Sequence, residues 1–150
     1  MSDCFSTRSP DLDYLYRQAR RRLPLDAVDD VVQETALAAW QSYGSRQRAG
    51  VHTWLGGILR HKTADFYRRD PGWQWTRLHD ETPDAPHGEA SLLLRLMMQR
   101  LPGDYGRVLW LRFWGGLSLP EVGTALGISA DAARGRYKRA LTALRQEWLA

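Results

Sequence analysis

Residues 117–141 read LSLPEVGTALGISADAARGRYKRAL, and the reading of this stretch decides the fold class. Ser118 is an N-cap residue type. Pro120 and Glu121 follow in the first turn, where a missing N–H costs nothing and a negative charge meets the positive end of the helix. Val122, Ala125 and Leu126 form an apolar stripe at helical spacing, and Gly127 suits a left-handed C-cap. Ile128 plugs the corner, and Ser129 caps a second helix with Asp131 in its first turn. On that helix Ala133, Tyr137, Ala140, Leu141 and Leu144 share one face, while Arg134, Arg136, Lys138 and Arg139 take the remaining surface. Two helices, a glycine turn and a cationic outer face predict a helix-turn-helix suited to a DNA major groove.

The rest of the composition agrees with a nucleic-acid partner. A chain of 150 residues, 43% hydrophobic and 25% charged, is long enough for one ordinary domain or two very small ones. Its net charge of +4 favours a polyanion. The charge is uneven: residues 46–69 hold six basic side chains against one acid, and residues 70–89 hold five acids against Arg77 alone. The single cysteine, Cys4, excludes an intramolecular disulfide framework and a thiolate zinc cluster, and it points to a reducing cytoplasm. No apolar run approaches the roughly 20 residues needed to span a bilayer, and no hydrophobic signal core opens the sequence. Seven tryptophans suggest small domains that bury large side chains.

Working outward, the pattern is helical throughout, and nothing alternates with a period of two. Helices are predicted from Asp11 to Leu23, Asp26 to Tyr43, His52 or Thr53 to about Arg69, Leu92 to Leu101, and Asp104 to Trp114. Residues 70–90, rich in proline, glycine and acid, read as an exposed linker. The expected fold is all-α: two small helical domains, residues 10–69 and 91–150, joined by a flexible acidic linker, with the helix-turn-helix in the second.

The helix over DAVDDVVQETALAAW, residues 26–40, carries a second constellation. Val28, Val32, Thr35 and Ala39 face one way, with Val31, Ala36 and Trp40 beside them. Asp30, Gln33, Glu34 and Leu37 sit at i, i+3, i+4 and i+7 on another face, where acid, amide and one leucine make either a docking surface or a plain solvated face. Downstream, Arg46, Arg48, Arg60, Lys62, Arg68 and Arg69 interleave with Tyr43, His52, Trp54, Phe66 and Tyr67. Cations for a backbone and aromatic faces for bases suit an exposed DNA strand, and plain solubilising charge is the competing reading. Trp54 and Phe66, which align with Leu55, Ile58 and Leu59, read as core, and His61 as a surface residue.

DDVVQETALAAW, followed after a basic loop by TWLGGILRHKTADFYRR, resembles region 2 of extracytoplasmic-function sigma factors. LPGDYGRVLWLRFWGGLSLPEVGTALGISADAARGRYKRALTALR resembles their region 4. The resemblance implies a transcription initiation factor that binds core RNA polymerase, through its clamp and flap regions, and brings it to promoter DNA. It places Asp30, Gln33, Glu34 and Leu37 on the polymerase. It places Arg46, Arg48, His52, Arg60, Lys62, Tyr67 and Arg68 on the −10 element, and Arg134, Gly135, Arg136, Lys138 and Arg139 on the −35 element. An anti-sigma factor is a further candidate partner; no cofactor and no metal are implied. The chain departs from the pattern in its short first helix, in Ala36 where a large aromatic is common, in Gly135 on the recognition helix, and in Gly56-Gly57, which interrupts a helix at about 1 kcal/mol per glycine.

Two other classes compete. A stand-alone helix-turn-helix regulator explains the second domain but not the acidic helix face or the basic segment before it. An enzyme is disfavoured, because His52, His61, His79 and His87 have no HxxxH or HxH spacing, and the chain has no phosphate-binding glycine loop and no GxSxG.

Overall fold

The computed structural model describes residues 9–43, 50–70, 72–85 and 88–150, and all regular structure among them is helical. The helices are α1 (Pro10–Arg20), α2 (Leu25–Gln41), α3 (Val51–Arg69), α4 (Trp75–Glu81), α5 (Glu89–Gln99), α6 (Tyr105–Phe113), α7 (Leu119–Leu126) and α8 (Ala130–Leu149). Helix α1 starts where Ser9 Oγ accepts from the Asp11 N–H at 3.1 Å, with Pro10 at the first position. It ends at Arg20, before the predicted Leu23, because Arg22 and Leu23 turn back to donate to the Ala19 carbonyl.

The first three helices pack on one another through the predicted face of α2: Val28, Val32, Thr35 and Ala39 are all buried, and Val31 joins them. The Thr35 hydroxyl is satisfied inside the core by donating to the Val31 carbonyl at 2.8 Å. Leu15 and Ala19 of α1, Leu23 after it, and Leu55, Leu59, Ala64 and Tyr67 of α3 complete this core. Helix α3 runs unbroken through Gly56 and Gly57. A Cβ at Gly56 would lie 3.0 Å from the Tyr14 hydroxyl, so the glycine lets α1 approach the α3 backbone. Trp40 does not join the buried side; it is 55% exposed.

The segment predicted as an exposed linker is folded over much of its length. Trp73, Trp75, Leu78, His79 and Ala85 are buried, and α4 packs on α6. Four of these residues are apolar or aromatic and recur at short intervals among the acids; their burial outweighs the proline and glycine content that suggests a tether. Gly106 on α6 is the seat of Trp75, whose indole would collide with a Cβ at that position.

Helices α5 to α8 form the second cluster, in which Val108, Leu109, Trp110, Leu111, Leu117, Val122, Ala125, Ala133 and Ala140 are buried. The two clusters are in contact rather than held apart. Helix α7 lies along α3, and Tyr67 meets Trp110 edge to face at 5.4 Å, with Trp73 5.0 Å from Tyr67. Each fully buried large side chain of this kind contributes about 2–3 kcal/mol.

Candidate nucleic-acid interface

The helix-turn-helix is built by its caps. Ser118 Oγ accepts from the Glu121 N–H at 3.3 Å, and the Glu121 carboxylate accepts from the Ser118 N–H at 2.8 Å, closing a capping box at the start of α7. At the other end Gly127 takes φ 70°, the left-handed conformation that a side chain resists. The Ile128 N–H then reaches the Gly123 carbonyl at 2.9 Å and the Gly127 N–H reaches Thr124, so the last carbonyls of α7 are satisfied within the turn. Ser129 Oγ accepts from the Ala132 N–H at 3.0 Å and starts α8.

On α8, Ala133 and Ala140 are buried against the cluster and Tyr137 packs edge-on to Phe113. Leu141, predicted on the same face, is 37% exposed and lines a shallow apolar cavity with Leu93, Leu94 and Met97 of α5. Arg134, Lys138 and Arg139 are exposed on the outer side. Arg134 Nη1 pairs with Asp131 one turn back at 2.7 Å, a partner it can exchange for DNA at little cost. Arg136 differs: its Nη1 is held by Asp104, at the start of α6, at 3.0 Å, and the side chain is only 29% exposed. Gly135 is half-buried, and the Arg139 guanidinium lies beside it, 3.4 Å from where a Cβ would stand. Asp104 thus selects which cations face outward, a role with no signature beyond a carboxylate near a helix start.

The residues predicted for the exposed strand of the −10 element are divided. Arg46 and Arg48 lie outside the described residues. His52 stacks on Tyr14, with ring centroids 4.2 Å apart, and its Nε2 lies 3.0 Å from Asp11, so it is engaged within the fold. Arg60 is half-buried, with Nε 3.2 Å from Glu121 of α7. Lys62 is half-buried and Arg68 is exposed. Tyr67 is a core residue and not an available aromatic face: it is 0% exposed, its hydroxyl donates to the Arg22 carbonyl at 2.6 Å, and burial raises its pKa well above the ordinary value. Its position in the last turn of a basic helix suggests a base contact, but the same position puts it under the second cluster. Trp54 and Phe66 are half-buried against the core, and His61 is exposed, as the spacing predicts.

On α2, Asp30, Gln33 and Leu37 are exposed together, and Glu34 beside them contacts Arg69 Nη1 at 3.5 Å. Leu37 is 56% exposed; with Trp40 one turn on, it makes an apolar strip beside the acidic and amide groups. Trp40 was legible as the i+3 neighbour of Leu37, although its bulk favoured a core assignment.

Two family descriptions match the chain: Sigma-70 region 2 over residues 10–71, and Sigma-70, region 4 over residues 91–144. The ECF RNA polymerase sigma factor SigF of Caulobacter vibrioides is 34% identical over 122 residues, covering 78% of this chain and 68% of its own. The RNA polymerase sigma-E factor of Streptomyces coelicolor is 31% identical over 151 residues, covering 92% and 81%. RNA polymerase sigma factor YlaC of Bacillus subtilis is 29% identical over 147 residues, covering 90% and 83%. The chain belongs to the extracytoplasmic-function sigma factors.

As a sigma factor it is a transcription initiation factor. Helices α1 to α3 lie within the region 2 match, and α6, α7 and most of α8 within the region 4 match. Helix α4 falls in neither, so the buried segment around Trp75 lies between the two matched regions. Among the described residues no helix is long and apolar enough to cross a membrane.

Proposed function

We propose that this sigma factor docks on core RNA polymerase through the α2 face of Asp30, Gln33, Glu34 and Leu37, with Trp40 extending it. Helix α3 and the loop before it hold the −10 strand, and α8 reads the −35 element. The observation that carries the reading is the pairing of two exposed surfaces of opposite character on the two matched regions. One is an acidic and apolar strip on α2, the other a cationic face on α8. A strip of that kind fits a protein partner, and the cations fit a phosphate backbone. The domain limits that follow are residues 10–69 and 91–150. The protein works by binding rather than by covalent chemistry, in the cytoplasm with its polymerase, and an anti-sigma factor competing for the same faces is the natural antagonist.

Run-off transcription with core polymerase and the gene's own upstream region tests the proposal. Transcripts starting at one position only when this chain is added support it. Sequence-specific DNA binding that neither needs nor recruits core polymerase would favour a stand-alone regulator instead.

A further inference from the structure

We propose that the polymerase-docking surface runs past α2 onto α4, where a cavity takes one cationic side chain, an arginine or a lysine, from the polymerase segment lying along α2. The inference rests on the reading of α2 as the docking helix and adds Asp26 and Glu81 to it.

The cavity, about 330 Å³, lies between the first half of α2, the end of α3 and α4. That volume is at the lower end of what holds a small ligand, about 300–1,000 Å³, and suits one or two long side chains. Its position continues the docking face. Asp26, Asp30, Glu34 and Leu37 follow one another at helical spacing along a stripe of about 16 Å, so a segment lying on it passes the cavity mouth. Leu25, 59% exposed, shares a shallow depression beside the cavity with Asp26 and Glu81. Glu81 and Trp73 fall between the two matched regions, so the socket is not contained in region 2 alone.

Charge decides what the cavity takes. Five carboxylates line it against Arg69 and Arg77 alone. Arg69 is engaged with Glu34 and Arg77 with Glu81, each at 3.5 Å, and Asp70 accepts from the Gly72 N–H at 3.2 Å. Asp26 and Asp30 are exposed and have no ion-pair partner among the described residues. A cation is drawn to such a site and an anion repelled.

A second feature points to a polypeptide rather than a metal ion or a polyamine. Trp73 forms part of the wall; it is 4% exposed, and its indole Nε1 is buried with no hydrogen-bond partner among the described residues. A protein segment brings a main-chain carbonyl for that N–H together with a cation for the carboxylates, whereas a metal ion or polyamine brings only charge. Among the described residues no cluster of three or more acids, histidines or cysteines is placed to hold a metal ion. Half-buried Phe66, in the same wall, offers an apolar surface to the aliphatic stem of a lysine or arginine.

The test titrates core polymerase with the full chain at several salt concentrations, read by fluorescence anisotropy. Asp26→Asn with Glu81→Gln should weaken binding at least fivefold and flatten its salt dependence. Arg77→Gln, which removes a cation from the rim and frees Glu81, should tighten binding at least twofold, an effect opposite in sign to damage to the fold. Parental affinity and salt dependence in either variant would overturn the socket, as would weaker binding by Arg77→Gln. If Asp30→Arg with Glu34→Arg still binds like the parent, the α2 reading has failed and the socket with it. If that variant loses binding while Asp26→Asn with Glu81→Gln binds like the parent, the socket alone falls.

Discussion

The Tyr67 hydroxyl donates to the Arg22 backbone carbonyl across 2.6 Å, joining the last turn of α3 to the corner that follows α1. The ring above it touches Phe66, Trp73 and Trp110. A side chain tied on both its polar and its apolar parts holds the end of α3 in place. Tyr67→Phe is expected to lower stability by about 1 kcal/mol through the lost hydrogen bond, with the ring still filling its space. Urea unfolding measures this, and unchanged start-site choice in run-off assays separates a structural tyrosine from one that reads DNA.

Alkaline pH tests the same residue. Burial raises Tyr67 well above 10.0, and burial together with a hydrogen bond to Asp29 raises Tyr16. Above about pH 10 the unfolded chain loses these protons while the folded chain keeps them. Their contribution is therefore whole below pH 10 and falls as pH rises beyond it. The urea midpoint should drop from about pH 10 upward, and Tyr67→Phe should flatten the drop.

Polymerase docking is tested on α2. Asp30→Arg with Glu34→Arg should reduce affinity for core polymerase at least tenfold in a fluorescence-anisotropy titration, with the helical circular dichroism unchanged. Glu34 and Arg69 form an exposed pair worth little to folding, so loss of binding would not reflect unfolding.

On α8 the cations should divide by position. Arg134 is nearest the helix start and exposed, so Arg134→Ala should relax preference at one base pair of a randomised −35 library, at a cost of about 1–3 kcal/mol. Arg139→Ala should weaken all sequences alike and reduce the salt slope by about one. Asp104→Asn should free Arg136 for DNA and steepen the salt dependence of binding.

Gly106→Ala places a methyl group against the Trp75 indole and is expected to cost about 1–3 kcal/mol. Thermal unfolding followed by tryptophan fluorescence reads the loss.

Local signals were legible wherever one short stretch carried all of the information. Ser118, Gly127 and Ser129 set the helix-turn-helix from within, and the α2 spacing gave both its buried and its exposed face. Tyr67 and residues 72–85 were not legible, because their burial depends on what the other half of the chain brings to them. An acidic stretch with glycine and proline looks open until Trp73 and Trp75 find Trp110 and Gly106. The Arg60–Glu121 pair spans two segments that each make sense alone, so neither pattern announces the other.

Glu121 meets Arg60 with the same oxygen that receives the Ser118 N–H, and only the second of those bonds is internal to the helix-turn-helix. The cap does not depend on the arginine. Gly127, Ser129 and the turn between them likewise draw on nothing outside residues 118–132. The start of α8 is therefore set by its own short stretch of chain, and the turn needs no help from α3 to keep its shape.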